Sequence, residues 1–175
     1  MTLDAEALHQ RGLDLLKRGE RDEARRAFEA AIALEPARPK TLNNLARLDL
    51  EDGRGATALD WIARSLACEP GAARTRGLHG QALTLLDRSV EAIPILEAAL
   101  AAEPAQPAAW AALARAHESR GERAAALGVL ERAVAQLPDN AALANNLGAL
   151  LTRLGRDTDA LAEYARATEL DGTLV

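Results

Sequence analysis

The chain is 175 residues long, a single-domain length, and its 26 acidic against 21 basic side chains leave a net charge of −5, which argues against bulk attraction to nucleic acid or anionic membranes. A single cysteine, Cys68, excludes an internal disulfide. No apolar run approaches the roughly 18 residues of a membrane span and the charged amino terminus is unlike a signal peptide, so a cytoplasmic protein is expected.

Residues 1–4 form a short lead-in. The first predicted elements are helices over 6–18 and 22–34, whose apolar residues recur with the 3.6-residue period of an amphipathic face; each is roughly 20 Å long. Gly19 supplies the positive φ that ends one helix and admits the next, and Pro36 stops the second because it cannot continue it. Slid against itself by 34 residues, the chain meets this pattern again without insertion or deletion, in units 5–38, 39–72, 73–106, 107–140 and 141–174.

Each recurring column has a physical reason. Gly12, Ala46, Gly80, Ala114 and Gly148 are all small, and Ala24, Ala58, Ala92, Ala126 and Ala160 are all alanine. Glycine inside a helix costs about 1 kcal/mol relative to alanine, so the close packing that requires it must be worth at least that. Phe28, Ile62, Leu96, Leu130 and Tyr164 form a large-residue column expected to fill the space between neighbouring units. Aromatics are otherwise limited to Trp61 and Trp110, with Trp61 expected as a packing residue of the outer layer, so alanine and leucine carry most of the contact. The third unit departs most, with Arg76 in the column of Trp110, His79 in that of Leu113 and Asp87 in that of the turn glycine. Pro94, early in its second helix, predicts a helix that starts late, near Val90 or Glu91, or bends there.

Trp110, Leu113, Gly121, Ala126, Ala133 and Pro138, with Leu8, Gly12, Ala24, Phe28, Ala31 and Pro36 in the first unit, resemble the signature of the tetratricopeptide repeat (TPR) family, and the resemblance runs over essentially the whole chain. The pentatricopeptide family, with a repeat one residue longer and RNA as ligand, is disfavoured by the strict offset and the acidic balance. The resemblance implies an all-α fold: an α-solenoid of antiparallel helix pairs in a right-handed superhelix, with a concave groove lined by the first helix of each unit. It also implies a non-enzymatic adaptor that binds a protein segment in that groove.

On the columns that would face inward the charge is about +3, against about −8 for the rest of the chain. That asymmetry points to an acidic or carboxylate-ended peptide, with Lys40, Asn44, Arg47, Arg74, Gln81, Arg115 and Asn146 as its candidate contacts. Leu13, Leu16, Leu50, Leu78 and Leu85 would offer apolar contact, and His9, Gly77, Thr84 and Ala112 belong to the same inward set. Of the columns that form a two-carboxylate clamp in some family members, here His9, Leu13, Asn44, Arg74 and Leu78, only Asn44 and Arg74 match. A clamp of that type is not expected.

Catalytic, cofactor and metal signatures are missing from the sequence. His9, His79 and His117 occupy three different columns, Cys68 has no partner at ligand spacing, and Gly53-Arg54-Gly55 lacks the Lys-Ser or Lys-Thr of a phosphate loop. Two alternatives to the groove adaptor follow. One is a homo-oligomeric scaffold joined through the C-terminal end, where Leu161, Tyr164, Ala165 and Thr168 lack a following unit. The other, implied by the resemblance, is the docking array of a larger sulfotransferase- or glycosyltransferase-type enzyme.

Overall fold

The computed structural model describes residues 4–172. Its helices are α1 (Ala5–Lys17), α2 (Arg21–Leu34), α3 (Pro39–Glu51), α4 (Gly55–Cys68), α5 (Ala73–Leu85), α6 (Ser89–Ala102), α7 (Pro107–Ser119), α8 (Arg123–Gln136), α9 (Ala141–Arg153) and α10 (Asp157–Asp171). Each starts 34 residues after its counterpart in the preceding pair, and no strand occurs among the described residues.

Local chemistry sets the ends. Asp4 caps α1 by accepting from the Ala7 N–H at 2.7 Å, Asn140 caps α9 from Leu143 at 3.0 Å, and Pro39 and Pro107 occupy first helical positions, where no N–H is needed. All five turns within the pairs close alike. A left-handed residue follows the first helix, and the next N–H reaches back five residues, as from Arg54 to the Asp49 carbonyl at 2.7 Å and from Arg88 to Leu83 at 2.9 Å. Glycine takes the left-handed position in four turns and Asp87, at φ 58°, in the third. An aspartate there costs on the order of 1 kcal/mol relative to glycine, and the unchanged turn shows that the packing around it absorbs this.

The expectation of a late start for α6 is corrected. It begins at Ser89, in register with the other second helices, although Pro94 lies inside it. Pro94 and Val90 are both exposed, so the carbonyl that an N–H at residue 94 would have met lies on the water side, where it needs no protein partner.

Packing within a pair depends on small against large. A Cβ on Gly12 would come within 2.5 Å of the Phe28 ring and one on Gly148 within 2.9 Å of the Tyr164 ring, while Gly80 lies hard against Leu96. The large column therefore fills the space inside its own unit, which the sequence pattern had assigned to the space between units. Its outer side still reaches the next pair, since Phe28 shares a core cluster with Leu42 and Leu45 and Leu130 one with Leu143 and Leu147. The alanine column from Ala24 to Ala160 is buried throughout.

Each second helix packs on the first helix of the next pair, as α2 on α3 and α4 on α5, which extends the core along the array. First helices of successive pairs also touch, α3 with α5, α5 with α7 and α7 with α9, and second helices show no comparable contact. The array is therefore tighter along its first helices, and that side is the inner one.

Gly12→Ala is expected to lower unfolding stability by about 1–3 kcal/mol despite alanine's better helix propensity, because the Phe28 ring cannot retreat. Gly12→Ala combined with Phe28→Leu, the pairing of Ala114 with Leu130, should recover most of that loss. Chemical denaturation of the two variants checks this.

Candidate functional site

The inner side carries two adjoining recesses. The larger, about 410 Å³, spans α3, α5, α7 and α9 and is walled by Leu50, Leu85, Ala108, Ala111 and Ala149, with Gln81, Arg115, Glu118, Asn146 and Arg153 among its polar lining. The smaller, about 210 Å³, is lined by Asn43, Asn44, Arg47, Arg74 and Leu78 and shares Gln81 and Ala108 with the larger. Of the residues singled out from the sequence, Asn44, Arg47, Arg74 and Gln81 line the smaller recess and Gln81, Arg115 and Asn146 the larger, while Lys40 is exposed outside both.

The inward strip is narrower than the sequence columns suggested. His9, Gly77, Thr84 and Ala112 are buried, and Leu78 keeps only 8% of its surface. Neighbouring elements cover these particular positions, while Asn44, Leu50, Ala111 and Asn146, in the same columns, stay open to the recesses. His9 accepts or donates a hydrogen bond with Thr41 at 2.8 Å and packs its ring against Phe28, with centroids 5.6 Å apart. Asn43, one unit on in the same column, bonds to Thr75 at 2.9 Å. Gly77 leaves a space filled by the Gln106 side chain, whose amide is tied to the Glu103 carbonyl at 2.9 Å. Leu13 and Leu16 pack against the first core cluster.

The positive excess of this face is mostly spent internally. Arg74 pairs with Glu103 at 2.8 Å, Arg153 with Glu118 at 2.7 Å, Lys17 with Asp14 at 3.1 Å and Arg47 with Glu51 at 3.8 Å. Glu103 belongs to the loop between units and was therefore outside the inward columns. Such exposed pairs contribute only about 0–1 kcal/mol each, but they leave little free field for a ligand. Arg115 and Lys40 form no ion pair among the described residues.

One polar centre went unread in the sequence. Asp49 is fully buried in the column held elsewhere by Leu15, Leu83, Leu151 and, in the fourth unit, His117, and its carboxylate accepts from Trp61 Nε1 at 2.9 Å and from Arg54 Nε at 2.9 Å and pairs with Arg25 at 2.9 Å. Two guanidinium groups and an indole replace the water that a buried carboxylate would otherwise need. Arg25 and Arg21 also meet Asp52, at 3.2 and 2.9 Å, so the network ties the first pair to the second. A carboxylate in a column that is leucine in three of the five units was the available signal. Trp61 packs against two core clusters, as expected of a packing residue, and its indole N–H also donates to Asp49.

Among the described residues no group of three or more His, Cys, Asp or Glu could hold a metal ion, and no helix is long and apolar enough to cross a membrane. Stacked antiparallel helix pairs with an open groove along their first helices define an α-solenoid repeat protein. Two family models, both described as tetratricopeptide repeat, match residues 9–73 and 107–150, and the chain belongs to the TPR family. It is a protein-interaction module of that type. A thermophilic TPR protein from Thermus thermophilus superposes with a TM-score of 0.84 at 26% identity, over 97% of this chain and 93% of its own. MamA 41-end from Desulfovibrio magneticus RS-1 gives 0.71 at 22% identity over 97% and 96%, and pilF of Pseudomonas aeruginosa 0.76 at 20% over 94% and 75%. Protein FlbA of Caulobacter vibrioides is 27% identical over 157 residues, 90% of this chain and 26% of FlbA, so the chain spans about a quarter of that curated relative.

Burial depresses the pKa of His9 below its ordinary 6.5, with Arg38 and Lys40 adding to the effect and Glu6 opposing it, and burial does the same at His79, beside Arg88. The unfolded chain then takes up protons that the folded chain resists. Stability is full above pH 6.5 and is lost as pH falls from there through the depressed folded values. His9→Asn, which can keep the bond to Thr41, should flatten part of that slope and leave the part due to His79, as melting temperatures between about pH 7.5 and 5 would show.

Proposed function

We propose that the chain is a non-enzymatic adaptor whose inner groove holds a short, extended protein segment, preferably acidic. The observation that carries this reading is the pair of adjoining recesses along α3, α5, α7 and α9, open, floored by alanine and edged by Asn44, Arg47, Arg74, Gln81, Arg115 and Asn146. Side-chain amides that alternate with small apolar residues suit an extended backbone, which needs donors and acceptors along its length and shallow pockets for its side chains. Lys40 lies beyond the recesses and adds positive charge at the rim. Free, exposed Cys68 supports a reducing compartment, hence a cytoplasmic setting.

A second reading, self-association through the last pair, is favoured by Leu161. Its counterparts Leu59, Ile93 and Leu127 are half-buried against the core clusters, whereas Leu161 keeps 69% of its surface.

A peptide library panned on the chain should yield binders that are lost when Ala108→Trp fills the junction of the two recesses, with the melting curve unchanged. Retention of every binder by that variant would refute the groove. For the second reading, sedimentation at high concentration should show a dimer that Leu161→Glu abolishes; a monomer throughout would dismiss it.

A further inference from the structure

The larger recess holds one uncommitted cation. Its second arginine, Arg153, is tied to Glu118 at 2.7 Å, and their charges offset, while Arg115 on α7 is exposed and meets no carboxylate among the described residues. The local excess is therefore a single positive charge in a recess whose other walls are alanine, leucine, the Arg153–Glu118 pair and the amides of Gln81 and Asn146. A run of acidic residues finds no second free partner within the two recesses, since each further carboxylate would have to displace Glu118 from Arg153, Glu103 from Arg74 or Glu51 from Arg47, and Lys40 lies outside both.

The neighbours of Arg115 decide what kind of carboxylate fits. Asn146, on the α9 side, makes no hydrogen bond among the described residues, and Gln81, on the α5 side, donates to the Gly77 carbonyl at 3.2 Å and keeps its oxygen free. An amide thus stands on each side of the cation, where a backbone arrives and where it leaves. A terminal carboxylate at Arg115 would end the chain there and leave one of these amides unused. Through Gln81 and Ala108 the recess also opens into its smaller neighbour, so the track continues past the cation.

Resting on the groove reading above, we propose that this recess accepts one internal Asp or Glu side chain of an extended peptide, paired with Arg115, next to an apolar side chain seated against Leu50 and Leu85. The single charge sets the register of the peptide and the leucines set the neighbouring preference.

A peptide library randomised at every position, panned on the full chain and on Arg115 variants, tests it. Bound sequences should share one Asp or Glu at a fixed position, Arg115→Gln should weaken them about tenfold, or 1.4 kcal/mol, and Arg115→Glu should shift the selected residue to Lys or Arg. Arg115→Lys should keep the acidic choice, and amidating the peptide carboxyl terminus should change nothing. Peptides that are blocked by Ala108→Trp yet show no acidic position, that need a free carboxyl terminus, or that select an acidic run would overturn this inference and leave the groove intact. Absence of binders, or binders indifferent to Ala108→Trp, would defeat both readings.

Discussion

Everything in this array depends on how closely the two helices of a pair can approach. Gly12 against Phe28, Gly80 against Leu96 and Gly148 against Tyr164 bring one backbone onto the side chain of the other. That contact sets the distance within the pair. The large side chain then presents its far side to the next unit, so intra-pair and inter-pair packing share one residue per unit. In a solenoid, where no central core averages over errors, geometry propagates from neighbour to neighbour and a misfit in one pair would be inherited by all that follow.

The groove follows from the same constraint. Because the first helices touch from pair to pair while the second helices stand apart, one side of the array closes up and presents a strip of surface only a few columns wide. Small residues there, Ala108, Ala111 and Ala149, leave the recesses that longer side chains would have filled. What remains available for recognition is shaped less by net charge than by which charges are already answered. Most of the arginines on this side have carboxylates of their own, and specificity falls to those that do not.

Much of this could be read in the chain itself. The 34-residue offset, the turn glycines and the small and large columns give the repeat, its helices and its inner side, since each rests on local sterics that sequence spacing exposes directly. The failures share a cause. His9, Gly77, Thr84 and Ala112 were placed on the surface because a helical wheel has no neighbour, and only the packed array shows that these positions are covered while Asn44, Leu50, Ala111 and Asn146 in the same columns stay open. Asp49 was overlooked because an aspartate reads as solvated until Arg25, Arg54 and Trp61, from three different helices or turns, are seen around it. Arg74 kept its apparent freedom because Glu103 lies 29 residues away in a loop.

The buried carboxylate has a consequence for how such an array can change over time. Where units interlock through alanine and leucine alone, one unit can stand in for another with little change in what its neighbour meets. The second pair is not such a part. Its Asp49 is answered by Arg25 across the boundary and by Arg54 and Trp61 within, so a different unit placed after the first would strand Arg25, and the same unit placed elsewhere would find Leu59, Ile93 or Leu127 in the column of that arginine. Any exchange of units that keeps this carboxylate answered has to move the first two pairs together, a stronger tie than the exposed Arg153–Glu118 pair makes between the last two.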